Sequence, residues 1–196
     1  MSATAPSTTM HFPVTWQASL LPGPPPIAPA RRYVLPQAVP GEEDALARGA
    51  LWLTIQPRTG GTFLLQCALG FAGGSVLGGV WSTPEPDVLL AAAGGYAYRV
   101  DTTQPETGSL IDLRPVVAAL PSDEPESLVL AGFHSVHVLQ RGSSWSSPRL
   151  SWEGVHLAGV SDGVLRGTGW HMRTDREVPF ALDLRTRELT GGGFQP

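Results

Sequence analysis

Leu128-Val-Leu-Ala-Gly-Phe-His-Ser-Val-His-Val-Leu139 begins as an apolar run, closes on Gly132, and resumes at Val136 with apolar and polar residues in alternation. That is the pattern of a strand, a tight turn and a second strand with one face toward a core. Arg176-Glu-Val-Pro-Phe-Ala-Leu-Asp-Leu-Arg185 alternates in the same way. Between the two stretches, short β-type runs are broken repeatedly by Gly, Asp-Gly or Ser-rich turns, so residues 126–193 read as an antiparallel meander.

The same shape occurs earlier. Leu89-Leu-Ala-Ala-Ala-Gly-Gly-Tyr-Ala-Tyr98 aligns with Val129-Leu-Ala-Gly-Phe-His-Ser-Val-His-Val138 at a separation of 40 residues, a spacing found in propeller blades. Leu157-Ala-Gly-Val-Ser-Asp-Gly-Val-Leu165 repeats the shape too soon for the same strand of another blade, and is expected as the outer hairpin of the second one. Val129-Leu-Ala-Gly132, Val136-His-Val-Leu-Gln-Arg-Gly142 and Trp145 resemble the blade repeat of quinoprotein-like and WD-repeat propellers. Leu150-Ser-Trp-Glu-Gly154, the run from Asp175 to Thr186, and Gly191-Gly192 resemble an uncharacterised family of bacterial proteins, a family that brings no function with it.

The expected fold is therefore all-β: an antiparallel meander of about two to three propeller-like four-stranded sheets, an incomplete propeller, with a β-sandwich or barrel as the alternative. Residues 1–40 carry Pro13, Pro22, Pro24, Pro25, Pro26, Pro29, Pro36 and Pro40, which forbids continuous helix and interrupts sheet ladders. They are expected as a Pro-rich arm laid over a single domain at 41–196, anchored by Phe12 and Trp16. A short helix is expected over residues 42–47, where acidic residues open the run and Arg48-Gly49 end it. Residues 51–55 and 62–67 form a hairpin, with Cys67 on an apolar strand face, and Gly73-Gly74 and Gly78-Gly79 are turns. A partial set of blades leaves sheet edges that the arm, a second copy or closure of the sheet must cover.

Composition narrows the chemistry. All 13 basic residues among the 196 are Arg, the net charge is −4, and only Arg31-Arg32 are adjacent, so no basic stripe exists to neutralise a phosphate backbone, and nucleic acid is not expected as a partner. The absence of Lys removes Schiff-base chemistry and the usual P-loop cation. One cysteine permits neither an internal disulfide nor a cysteine-based zinc site. With no basic and apolar leader and no apolar run of membrane-spanning length, the chain reads as cytoplasmic, without a membrane partner.

Candidate functional residues gather near the last hairpin. Trp170, His171, Arg173, Asp175 and Arg176 concentrate polar function in one turn, and turns carried by rigid strands are where binding residues collect. Trp152 joins them as a ring that could serve as a binding platform. His134 and His137 have a chelating interval only on a helix, and on a strand their rings diverge, so no metal is expected. No Gly-x-Ser-x-Gly elbow is present, and Glu153, Asp162, Asp175, Glu177 and Asp183 are the carboxylates from which a hydrolytic pair would have to come. The sequence thus points to a cofactor-free, non-catalytic module that binds a protein partner or assembles with itself. A small hydrolase or lyase working at residues 170–177 is the alternative.

Overall fold

The computed structural model describes residues 7–27, 29–36, 45–70 and 76–194. These contain no α-helix and four small sheets of four or five strands, none closed into a barrel. The chain divides into two compact units, Met1–Pro115 and Val116–Pro196.

The first unit holds β1 (Ser7–Thr9), β2 (Trp16–Leu21), β3 (Arg31–Leu35), β4 (Ala50–Pro57), β5 (Phe63–Ala68), β6 (Gly79–Ser82), β7 (Val88–Ala93), β8 (Tyr96–Asp101) and β9 (Ser109–Leu110). One sheet has the order β2-β4-β5-β3 and the other β1-β6-β7-β8-β9. Leu53, Ile55, Phe63, Leu65 and Cys67 of the first pack with Leu89, Ala91, Tyr96, Tyr98 and Val100 of the second in one core cluster. Each aliphatic side chain removed from water in this way stabilises the fold by about 1.5–3 kcal/mol. β7 is buried at every position, which is why Val88-Leu-Leu-Ala-Ala-Ala93 is a continuous apolar run with no alternation.

The segment expected as an arm is instead built into these sheets. Its prolines fall between the strands, leaving residues 16–21 and 31–35 free of Pro, so both stretches keep their backbone donors and pair. β2 lies antiparallel to β4 and β3 parallel to β5, one on each flank of the β4–β5 hairpin. Trp16 and Leu35 are 3% and 2% exposed and belong to the core. The Ser82 hydroxyl accepts the backbone N–H groups of His11 and Phe12 at 2.8 and 2.9 Å, fixing the approach to β2. Parallel pairing is confined to β1 and β3; from β4 onward, pairs among the described residues are antiparallel as expected.

Residues 42–44 of the expected helix lie outside the described residues, and Ala45–Arg48 is a single 3-10 turn. Gly49 ends it at φ +104, a conformation that an L side chain rarely adopts. Gly73-Gly74 also lie outside the described residues, while Gly79 opens β6.

Cys67 is fully buried, and burial raises its thiol pKa well above the ordinary value of 9.0. The folded protein should therefore react slowly with a thiol reagent and the denatured chain promptly, a contrast read by labelling with and without denaturant. The sign of the linkage follows. The neutral thiol's contribution to stability is complete below about pH 9 and falls as pH rises from there toward the folded value, because only the unfolded chain ionises in that window.

The second unit is two meanders in chain order. One comprises β10 (Ala118–Asp123), β11 (Glu126–Ala131), β12 (Val136–Gln140) and β13 (Ser143–Ser146); the other comprises β14 (Val155–Ser161), β15 (Val164–His171), β16 (Arg176–Asp183) and β17 (Leu189–Gly191). Residues 157–165, expected as an outer hairpin of the preceding sheet, open the separate second sheet, because β13 has already completed the first by pairing with β12. Asp162 and Gly163 both have positive φ, 55° and 79°, and form the two-residue turn that Asp-Gly signals. Val129, Ala131, Val138, Trp145 and Leu150 pack with Val155, Leu165, Phe180, Leu182 and Leu184 to make this unit's core. β15 and β16 alternate buried and more exposed positions along much of their length, so the β14–β17 sheet has one face on that core and one face wet.

Candidate functional site

The turn at residues 172–175, between β15 and β16, carries most of the expected site, and its polar groups are largely used to close it. Trp170 Nε1 donates to Asp175 Oδ1 at 3.0 Å, and His171 Nδ1 lies 2.7 Å from Thr174 Oγ1. Asp175 adopts φ +50, the left-handed region that Asp tolerates better than most residues. His171 is buried, while Arg173, Asp175 and Arg176 are exposed. Among the described residues, the side chains of Arg173 and Arg176 make no hydrogen bond or ion pair.

Trp152 comes to the same end of the sheet through its backbone. Its N–H donates to Trp170 O at 3.1 Å, and the Ser151 hydroxyl beside it accepts from Trp170 N at 2.8 Å and from Glu153 N at 3.2 Å. The Trp152 ring does not face an open platform. Phe194 lies against it with centroids 4.8 Å apart, and the Arg149 guanidinium stacks 5.1 Å from the Trp152 centroid and 4.8 Å from that of Phe194. Arg149 also donates to Ser151 O and Trp152 O and approaches His134 Nδ1 at 3.1 Å. The ring therefore belongs to a clamp on the C-terminal segment. Trp145 is core, and Trp152 and Trp170 are half-buried.

The candidate carboxylates are engaged separately. Thr168 Oγ1 donates to Glu177 Oε2 at 2.7 Å. Asp183 Oδ1 accepts the backbone N–H groups of Thr186 and Arg185, each at 2.8 Å, and these bonds lower its pKa below the ordinary carboxylate value. Asp183 is thus the cap of the β16–β17 turn. His137 Nδ1 is 2.8 Å from Ser146 Oγ and His134 lies by Arg149, so the two rings have different partners. Among the described residues, no group of three or more His, Cys, Asp or Glu is placed to hold a metal, and no helix is long and apolar enough to cross a membrane.

What the sequence reading passed over is the wet face itself. An open groove of about 550 Å³ crosses all four strands of the β14–β17 sheet, lined by His156, Arg166, Thr168, Glu177, Pro179 and Thr190 among others. Register brings them together: His156 opposes Thr168, Thr168 opposes Pro179, Arg166 opposes Ala181, and Ala181 opposes Thr190. Ala158, Gly167, Ala181 and Gly191 keep the groove low between its longer side chains. Among the described residues, the side chains of His156 and Arg166 make no hydrogen bond or ion pair, which leaves an imidazole and a guanidinium available to a ligand. The signal for this face was present as the alternation in β15 and β16, and was legible only as the polar side of a strand. Comparison of the chain with known protein families, with curated proteins and with solved structures finds no match.

Proposed function

We propose that the chain is a non-catalytic β-repeat module, each four-stranded meander one blade of an incomplete propeller, and that it docks a protein partner on the wet face of the β14–β17 sheet. The observation that carries this reading is the 550 Å³ groove with its unengaged His156 and Arg166. A partner with a mixed polar and charged surface suits a lining whose unengaged side chains are a guanidinium and an imidazole beside the paired Thr168 and Glu177. Binding is favoured over hydrolysis because Trp170, Asp175, Thr168 and Glu177 are committed to one another in pairs. The blade reading rests on the strand order of the two meanders and on the resemblance to propeller repeats and to the bacterial family. The lone, buried, unpaired Cys67 agrees with work in the reducing cytoplasm.

The test is a substitution that fills the groove without touching the core. Ala181→Arg sits on the groove wall at a half-buried position. We expect wild-type protein recovered from its own cells to retain a partner at fixed stoichiometry by native mass spectrometry, and Ala181→Arg to lose at least nine-tenths of it with thermal unfolding unchanged. Equal retention by the variant, or a wild-type chain that runs alone, contradicts the proposal. A mass of two identical chains would put a second copy in the partner's place.

A further inference from the structure

The groove on the β14–β17 sheet has a charge as well as a shape. Its ionisable lining consists of three side chains, His156, Arg166 and Glu177. Glu177 already accepts from Thr168 Oγ1 at 2.7 Å, whereas among the described residues the side chains of Arg166 and His156 have no partner. The charge left unanswered in the groove is therefore positive, in a chain whose net charge is −4.

Register keeps that guanidinium approachable. Arg166 stands opposite Gly159 on β14 and Ala181 on β16, so its neighbours across both ladders carry a hydrogen and a methyl. A Cβ at Gly159 would meet nothing within 4 Å, and the register shift between Leu157 and Gly159 is what brings this glycine beside Arg166. Glu177 stands two rows along the sheet, opposite Trp170, with the Thr168–Pro179 row between, so it does not neutralise Arg166. His156 opposes Thr168, in the row next to Arg166. Diagonal neighbours of this kind lie about 7–8 Å apart, within reach of long side chains, and one carboxylate can be met by the guanidinium and the imidazole together.

We propose that the segment seated in this groove is acidic, an extended stretch of another protein that sets an Asp or Glu carboxylate on Arg166 and His156. This rests on the reading of the groove as the docking face and adds the chemistry of what docks there. A planar carboxylate matches the guanidinium fork, and one guanidinium balances one such group. The groove is open and crosses all four strands, so a segment passes through it and presents a side-chain carboxylate rather than a chain end.

The experiment titrates the full ¹⁵N-labelled chain, its resonances assigned through bonds, with two octapeptides acetylated and amidated at their ends. One alternates Glu and Ser, the other Gln and Ser. The Arg166 Nε–H and Thr168 amide resonances should move saturably with the Glu peptide, at a midpoint at least tenfold below that of the Gln peptide. Arg166→Gln, a change at an exposed position of the wet face, should raise the Glu-peptide midpoint at least tenfold. Equal midpoints for the two peptides, a midpoint unchanged in Arg166→Gln, or an Arg166 resonance that does not move would overturn the acidic assignment. Failure of the docking face reads differently. A natural partner retained equally by wild type and Ala181→Arg strikes the face itself, whereas one lost from Ala181→Arg but kept by Arg166→Gln leaves the face standing and strikes only its preference for a carboxylate.

Discussion

Deleting residues 1–40 should leave a chain that no longer folds its first unit and that associates into large species. The deletion removes β2 and β3, which flank β4–β5 on both sides, and so exposes the two edges of that hairpin at once. It also removes Phe12, Trp16 and Leu35, which are 6%, 3% and 2% exposed. At about 1.5–3 kcal/mol for each buried side chain, the three together contribute roughly 5–9 kcal/mol, comparable with the whole net stability of a typical domain at about 5–15 kcal/mol. Unpaired edges lined by apolar residues then template strand addition between chains. Size-exclusion chromatography should show aggregate, and Cys67 should label promptly in native buffer. A truncated protein that elutes as one small species with Cys67 still protected would mean that β2 and β3 are dispensable.

Gly169→Ala should be among the most damaging single methyl groups added to the second unit. Gly169 lies in β15 opposite Val155 and Val178, and a Cβ there would come 2.3 Å from the Leu150 carbonyl oxygen and 3.0 Å from its carbon. That oxygen is not free to move, since it accepts the backbone N–H groups of Gly193 at 2.7 Å and Phe194 at 3.1 Å. The methyl therefore either breaks the tie to the C-terminal segment or bends β15. Overpacking against fixed backbone stands at the upper end of its usual range, about 3 kcal/mol or more, and in a unit of this size that lowers the midpoint by more than about 10 °C. Thermal unfolding followed by near-ultraviolet circular dichroism, which reports on the Trp152 and Trp170 environment, checks it. A midpoint within about 2 °C of wild type would contradict the packing described at Leu150.

Both effects come from places where the sequence was hard to read. The hairpins were legible because their signals are local: Asp162-Gly163 and Gly94-Gly95 are two-residue turns, and the apolar runs of β7 and β11 mark strands buried on both faces. The N-terminal strands were not, because a count of prolines over 40 residues hides two Pro-free windows of six and five residues whose partners lie about 30 to 40 positions away. Long-range pairing leaves no local mark. The turn at 172–175 drew attention by its density of charged and aromatic residues, yet Trp170–Asp175 and His171–Thr174 are the contacts that close it. The groove assembles two to four residues from each of four strands, so no short window contains it.

The proposed working face can be tested by its own histidine. His156 is exposed in the free chain and lines the groove, whereas exposed His11 belongs to the first unit and serves as an internal reference. Diethyl pyrocarbonate footprinting of the isolated chain and of its native complex, read by mass spectrometry, should show His156 modified in the first and protected at least fivefold in the second, with His11 unchanged. Equal modification of His156 in both states would contradict docking on the wet face of the β14–β17 sheet.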